Sequence, residues 1–184
     1  MSTRGCIARL TGRAPPEFKG VYHHWDSYPS GLGQALFKLR NGHFRKSTEA
    51  MLRTLVDEHP AGWSTIVGRD FDRTPGFRAK EDDERPECYC HGGRNESGWG
   101  VTERNAAGSG VEYTYAFEGS TMFILGTYND DGAKMIGMFG MGDESAVWAV
   151  VAEVDLNGRE PDWGALDGMA AMAPPLDDAG AGRT

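Results

Sequence analysis

The sequence is poor in cysteine and has no long apolar segment. Its 184 residues include only three cysteines, Cys6, Cys88 and Cys90, and this odd number does not fit the disulfide framework of a secreted domain. No run of about 18 apolar residues exists, so no segment is predicted to span a membrane. The first residues also lack the apolar stretch of a signal peptide. We therefore expect a cytoplasmic protein with reduced thiols and no membrane partner.

Positive charge is scarce over most of the chain. The formal net charge is −8, although residues 1–50 carry eight basic and only three acidic side chains. A net acidic protein lacks the extended basic surface that binds phosphate backbones. Nucleic acid is therefore not an expected partner, and most charged side chains are expected to form a solvated surface.

Hydrophobic patterning predicts one α+β domain over residues 1–170, followed by a flexible Ala/Pro/Gly tail over 171–184. Apolar side chains alternate or run together in six segments that we interpret as strands, at 4–11, 19–26, 111–117, 121–128, 134–140 and 146–155. A turn is predicted at 129–132, and the apolar run at 146–155 predicts a central strand. We expect a mostly antiparallel sheet with two or three helices packed on it.

The helices are predicted from their spacing and caps. Apolar residues from Leu32 to Leu39 follow helical spacing after Ser30, which is a candidate N-cap, and Ser47 is a candidate cap for a second helix. A short third helix is predicted to begin near Trp163. Residues 69–110 show no sustained period and are rich in charge and glycine. A loop of this length is usually functional or disordered, so we expect an irregular excursion that packs near the corner described next and can cover it.

Titratable and aromatic residues concentrate at 22–33, Y-H-H-W-D-S-Y-P-S-G-L-G, where a strand meets a helix. On a regular strand His24 and Asp26 would share a face, so they are candidates for a general acid–base pair. The amides after Pro29 could bind an anion. The predicted ligand-binding residues are Arg4, Tyr22, Tyr28, Ser30, Gly31 and Gly33. Two structural alternatives remain open: a polar strand end with an N-cap, and an ion pair between Arg4 and Asp26.

Two further sites are candidates for chemistry. Cys88, Cys90 and His91 form C-Y-C-H, whose thiolates and imidazole suit zinc, although reduced loop thiols are the alternative. The sequence has no second cysteine pair, so a zinc site would have to be completed by one of the other histidines: His23, His24, His43 or His59. Ser2 could act as a nucleophile if Met1 is removed and its own amine serves as the base.

The segments T-R-G at 3–5 and Y-H-H-W-D-S-Y-P-S-G-L-G at 22–33 resemble a family of uncharacterised proteins from actinobacteria and tailed phages. The resemblance covers the first thirty-odd residues and implies shared structure, but no reaction, around Arg4, His24, Asp26, Tyr28, Gly31 and Gly33. The N-terminal strand pair is also similar in architecture to N-terminal-nucleophile hydrolases, in which Asp26 would match an aspartate that assists the nucleophile. Position 2 is Ser rather than Cys, and His24 stands where an Arg is expected.

Three classes of function follow from these residues. The first is a small phage-like or mobile-element-like accessory protein whose corner holds an anionic ligand or a protein partner. The second is a hydrolase that uses Ser2, or His24 with Asp26, so whether the chain is an enzyme stays open. The third is an interaction module stabilised by a metal, with zinc at C-Y-C-H as the only cofactor considered. The oligomeric state is not predicted.

Overall fold

The computed structural model describes residues 2–76, 84–91, 96–98, 100–128 and 146–171. These residues form one mixed sheet and three α-helices. The strands are β1 (Arg4–Arg13), β2 (Pro16–His23), β3 (Trp63–Thr65), β4 (Glu87–Cys88), β5 (Val101–Thr102), β6 (Val111–Glu118), β7 (Thr121–Tyr128) and β8 (Val147–Asp155). The helices are α1 (Gln34–Asn41), α2 (Thr48–Leu52) and α3 (Trp163–Ala170).

The strand order is β4-β3-β2-β1-β6-β7-β8, and β5 pairs with β2 outside this path. Two of the pairings, β1 with β6 and β2 with β3, are parallel, whereas the other pairings of the described strands are antiparallel. This arrangement confirms the predicted α+β class with a mostly antiparallel sheet. Each parallel pairing joins the N-terminal hairpin to a later strand, β6 beside β1 and β3 beside β2.

The alternation in β1 and β2 places their side chains in two cores. Ile7 and Val21 face the helices, while Cys6 and Phe18 face the opposite side. The helix side is filled by apolar residues of all three helices, including Leu36, Phe37, Met51, Leu52, Trp163 and Leu166. The other side is covered by residues near β5 and by Trp148 of β8. Both faces of the central strands are therefore buried, which explains why β6 is buried along nearly its whole length.

The helix boundaries agree with the predicted caps only in part. The Ser47 side chain accepts a hydrogen bond from the Ala50 amide at 3.1 Å, so it caps α2 as predicted. α1 begins later than predicted, because residues Pro29–Gly33 form a wide turn with π-type hydrogen bonding. The residue in the cap position of that turn is Tyr28, and Ser30 is therefore not an N-cap. None of the helices in the described ranges has the length and apolar character needed to cross a membrane.

Other predicted elements differ in position or cannot be compared. β8 is the last strand of the sheet formed by the described residues, although its apolar run predicts a central strand. The run is only partly buried: Trp148 and Val154 are buried in the two opposite core layers, whereas Val147 is exposed and residues 149–152 are half-buried. The described parts of 69–110 contain β4, β5 and a 3₁₀ turn at Ala107–Ser109. The predicted turn at 129–132, the strand at 134–140 and the tail from 172 onward lie outside the described residues.

Candidate functional site

The corner, defined as residues 22–33, begins where β2 ends. β2 stops at His23, and the next two amides, of His24 and Trp25, donate to carbonyl oxygens of β3. Asp26 adopts a left-handed conformation with φ of 54°, which turns the chain away from the strand direction. The predicted alternation therefore does not extend to Asp26, whose side chain is exposed, while His24 is half-buried.

His24 is oriented by a phenol rather than by a carboxylate. Its Nδ1 lies 2.8 Å from the Tyr22 hydroxyl, and Tyr22 in turn bonds with the Arg4 side chain. Burial raises the pKa of Tyr22 to about 12, although the neighbouring Arg4 charge opposes the rise. Asp26 forms no side-chain hydrogen bond or ion pair among the described residues. The expected contact between His24 and Asp26 is therefore absent, and so is the alternative ion pair between Arg4 and Asp26.

The amides of the corner are already satisfied by the chain itself. The Ser30 amide donates to Asp167 Oδ1 at 2.9 Å, and the Ser30 hydroxyl donates to Asp167 Oδ2 at 2.5 Å. The Gly31 and Leu32 amides donate to backbone carbonyl oxygens of the corner. The carboxylate of α3 thus occupies the position where the sequence predicts a bound anion. Sequence reasoning missed this partner because Asp167 is distant in the chain.

The glycines of the corner are explained by packing. A Cβ atom on Gly31 would lie 2.1 Å from the Asp26 carbonyl oxygen, and one on Gly33 would lie 2.9 Å from the Tyr115 ring. Real Cβ atoms do not approach other atoms this closely without displacing them. These glycines are therefore required for the close approach of chain segments, and no ligand is needed to account for them.

The side chains of Trp25 and Tyr28 extend from the corner to the surface, and Ser2 is bonded to the backbone of the corner. Trp25 is 47% exposed and Tyr28 is 38% exposed. The Ser2 hydroxyl donates to the His24 carbonyl oxygen at 2.5 Å. The hydroxyl of the candidate nucleophile is thus bonded to the backbone at the end of β2, where it helps fix the position of the N-terminal segment.

Within the corner, His23 and Ser27 form a buried histidine–serine pair, and the position of the histidine's ring proton follows from its contacts. The Ile66 amide donates to His23 Nε2 at 3.2 Å, so the ring proton is on Nδ1. His23 Nδ1 therefore donates to Ser27 Oγ, 2.7 Å away. Burial lowers the pKa of His23 to about 3. The imidazole is neutral and directs its proton at the hydroxyl, so it cannot act as a base for Ser27.

The C-Y-C-H segment contacts a different part of the chain. β4 pairs with β3, and the Tyr89 amide then donates to the Gly62 carbonyl oxygen at 3.0 Å. This register carries Cys90 and His91 close to His59, which lies just after the π-helical turn Arg53–Asp57 that continues α2. One ligand atom from each of His59, Cys90 and His91 lies within 4.8 Å of the other two. We call these three residues the Cys/His cluster.

Two hydrogen bonds orient the cluster. The Ala61 amide donates to Cys90 Sγ at 3.2 Å, which fixes the position of the sulfur. His91 Nδ1 lies 3.2 Å from the sulfur of Cys88, so the ring of His91 is held by the neighbouring thiol. Cys88 itself is buried at the end of β4, and burial raises the pKa of its thiol. All three cysteines of the chain are free thiols.

His59 has an unsatisfied ring nitrogen. Its side chain is 6% exposed, and Nδ1 is buried with no hydrogen-bond partner among the described residues. An unsatisfied buried polar group costs about 1–3 kcal/mol, so its presence in a native structure indicates a missing partner. Burial, with a smaller effect of His91, lowers the pKa of His59 to about 4. The ring is therefore neutral near pH 7 and has a lone pair available.

A cavity opens next to the Cys/His cluster. Its volume is about 280 Å³, and its lining includes Glu58, His59, Thr74, Pro75 and His91. Both histidines of the cluster thus face a space that solvent can reach. A larger groove of about 560 Å³ lies elsewhere, along β1 and β2. Arg9, which lines that groove, is already paired with Glu49 and Asp57.

The sequence predicts Cys88, Cys90 and His91 as metal ligands but does not select the fourth residue. The structure brings His59 to the segment and engages the other histidines elsewhere. His23 bonds with Ser27, His24 bonds with Tyr22, and His43 pairs with Asp72 at 3.2 Å. Cys88 does not belong to the group of mutually close ligand atoms. Choosing His59 requires the β3–β4 register, which no local sequence pattern reveals.

Comparison with protein-family models, with curated proteins and with solved structures gives no match.

Proposed function

We propose that this protein binds one transition-metal ion through His59, Cys90 and His91, with zinc as the ion that these ligands fit best. Two observations carry the proposal: ligand atoms of these three residues lie within 4.8 Å of one another, and one of the residues, His59, has a buried ring nitrogen with no hydrogen-bond partner among the described residues. A metal ion would satisfy that nitrogen. It would also recover the free energy lost when the ring is buried without a hydrogen bond.

The chemistry and spacing of the cluster support zinc. Imidazole and thiolate are the ligands that zinc prefers in proteins. Metal–ligand bonds of about 2.0–2.3 Å place ligand atoms roughly 3.3–3.8 Å apart in a tetrahedron. The atoms of the cluster lie within 4.8 Å of one another. Side-chain rotations that move each ligand atom by about an ångström would therefore bring all three to metal-binding distance. No movement of the strands is needed.

A metal at this position would connect two segments of the chain. His59 lies just after the π-helical turn that continues α2, whereas Cys90 and His91 follow β4, which is only two residues long. Such a short strand at the end of the sheet supplies few hydrogen bonds of its own. Metal binding would therefore contribute directly to the stability of the 84–91 segment. A metal that stabilises the fold in this way corresponds to the third class of function given above, an interaction module stabilised by a metal.

The corner supports a structural role more strongly than a ligand site. Its amides donate to groups of the same chain, and its glycines are explained by close packing. An accessory role at the corner would have to use the exposed Trp25 and Tyr28. Binding of a protein partner is therefore better supported there than binding of an anion, but the Cys/His cluster gives the more specific proposal.

The proposal is tested by measuring zinc affinity and stoichiometry under reducing conditions, by competition with a chromophoric chelator. The wild type is expected to bind one zinc ion per chain. His91→Ala and Cys90→Ser are each expected to weaken binding about 100-fold or more, because loss of a ligand costs at least as much as loss of an outer-shell partner. His91 is exposed, so its replacement should leave the fold intact.

His43→Ala is the matched control, because His43 is also exposed and paired but lies outside the cluster. Its zinc affinity should equal that of the wild type. A wild-type chain that binds no zinc, or an affinity that falls equally in all three variants, would exclude the proposed site.

A further inference from the structure

We propose that the metal site, which rests on the function proposed above, keeps one coordination position open to the adjoining cavity and holds there a water molecule that small anions can replace. In this arrangement Cys88 is a positioning residue for His91 and does not bind the metal. The alternative is a closed site in which Cys88 is the fourth ligand. The two arrangements differ in whether the metal can bind an exchangeable ligand.

The position of Cys88 favours the open arrangement. Its sulfur lies 3.2 Å from His91 Nδ1, yet it is not within 4.8 Å of all three atoms of the Cys/His cluster. Cys88 is fully buried on β4, opposite Trp63 in the sheet, so its backbone cannot move toward the cluster without breaking that pairing. The contact uses Nδ1 of His91 and leaves Nε2 for a metal. An outer-shell partner on the second ring nitrogen is the usual way to orient a metal-binding histidine.

The cavity provides the space for a fourth, exchangeable ligand. It has a volume of about 280 Å³ and is lined by both histidines of the cluster. A water molecule occupies about 30 Å³ of liquid volume, so the cavity accommodates a metal-bound water and a small anion in its place. Glu58 and Thr74 supply oxygen atoms in the same wall. These oxygens could hydrogen-bond to a water on the metal.

The number of protein ligands decides the class of the metal site. Structural zinc sites have four protein ligands, whereas sites with exchangeable or catalytic roles have three and a water. A zinc-bound water has a pKa near 7 and can supply hydroxide at neutral pH. An open site in this protein would therefore provide a nucleophile for hydrolysis without the Ser2 or His24 groups. The ligand class is a water or a small anionic oxygen or nitrogen donor.

Cobalt(II) replaces zinc in the experiment because its absorption spectrum reports geometry and thiolate ligation. The reduced wild-type protein is titrated with cobalt(II), and sodium azide is then added as the anionic probe. We expect azide to change the visible ligand-field bands, because it takes the open position. Cys90→Ser should abolish the sulfur-to-cobalt charge-transfer band. Cys88→Ser should retain that band at full intensity per bound cobalt, while the affinity falls about 10–100-fold as for loss of an outer-shell partner.

The outcomes separate this inference from the proposed function. If cobalt binds and azide leaves the spectrum unchanged, or if Cys88→Ser halves the charge-transfer intensity, the site is closed and only the open position is excluded. If neither cobalt nor zinc binds, the proposed function fails as well. Because Cys88 is buried, its replacement could prevent folding, but the azide titration of the wild type decides between the open and closed sites without any variant.

Discussion

The corner and the Cys/His cluster differ in how well their polar groups are satisfied. In the corner, the Ser30 amide and hydroxyl bind the Asp167 carboxylate, and His23 bonds with both Ser27 and a backbone amide. In the cluster, by contrast, a ring nitrogen of His59 is buried without a hydrogen-bond partner in the described part of the chain. The corner has the more conspicuous motif, yet the cluster has the more specific unmet chemical requirement.

This difference separates two reasons for polar residues to gather in a sequence. A polar motif at a strand-to-helix junction satisfies the backbone groups that the junction exposes. A functional site instead retains groups whose partner is not part of the chain. Density of histidine, aspartate and serine along the sequence does not distinguish the two cases, whereas hydrogen-bond accounting does.

The strongest test of the structural role of the corner is Gly31→Ala. The added Cβ would lie 2.1 Å from the Asp26 carbonyl oxygen, so the wide turn must shift. We expect a loss of about 3 kcal/mol in the free energy of unfolding, at the upper end for overpacking. Urea denaturation measures the change. Gly168→Ala is the matched control, because its Cβ would meet no atom within 4 Å, and a loss as large in the control would remove the packing explanation.

Removal of the metal tests the role proposed for the Cys/His cluster. At a free zinc concentration of 100 times Kd, binding stabilises the folded state by about 2.7 kcal/mol. For a chain of this size we expect a chelator to lower Tm by about 5–10 °C. The thermal transition is measured with zinc and with chelator, at equal ionic strength. His91→Ala should show the same Tm in both conditions, and a chelator effect that persists in this variant would place the metal elsewhere.

The buried His23 predicts a pH dependence of stability at the corner, and His59 of the Cys/His cluster, whose pKa is lowered to about 4, adds a second contribution of the same sign. The folded-state pKa of His23 is about 3 against an ordinary value of 6.5, so the unfolded state binds more protons between these values. Its contribution to stability is therefore complete above pH 6.5 and decreases as the pH falls toward 3. Between pH 7.5 and pH 5 we expect a loss of about 2 kcal/mol from this residue.

Urea denaturation at both pH values, with chelator present, measures the loss, and His23→Gln should remove this part of the pH dependence. His43→Ala should retain it. Equal slopes in the wild type and His23→Gln would show that His23 is not buried in its neutral form.

The smallest expected effect concerns the contact between α3 and the corner. Asp167→Asn removes the charge that the Ser30 amide and hydroxyl bind but preserves the size of the side chain. We expect a loss of about 1 kcal/mol, since a hydrogen bond to a charged group exceeds one to a neutral group by roughly this amount. Urea denaturation of Asp167→Asn and of Asp162→Asn, a cap residue of the same helix, compares the two carboxylates. No difference from wild type would mean that the corner does not depend on this anion.

Sequence periodicity predicted the elements that are regular and local. β6 and β7 were predicted within a residue of their observed bounds because side-chain alternation and apolar content both indicate strands there. Ser47 was predicted as a cap because capping depends on neighbouring residues. The extension of β2 to Asp26 was wrong because a single residue with positive φ ends the alternation.

The partners in both regions could not be predicted because they are set by long-range register. Asp167 reaches Ser30 only through the packing of α3 on the wide turn. His59 reaches Cys90 only through pairing of β3 with β4. The sequence identified the residue types suited to zinc, but it left four histidines open as the completing ligand. Proximity in space, rather than residue type, was the missing information.

The parallel pairing of β1 with β6 has a consequence for biosynthesis. β1 emerges from the ribosome first and forms a hairpin with β2, but Ile7 acquires its second partner, Tyr115, only after the intervening chain has been made. At translation rates of about 5–20 residues per second, this interval lasts roughly 5–20 s. During that time one edge of the nascent hairpin presents unpaired backbone groups and apolar side chains, a template for pairing with other chains. The N-terminal hairpin is therefore expected to be most prone to intermolecular pairing in the interval before β6 pairs with β1.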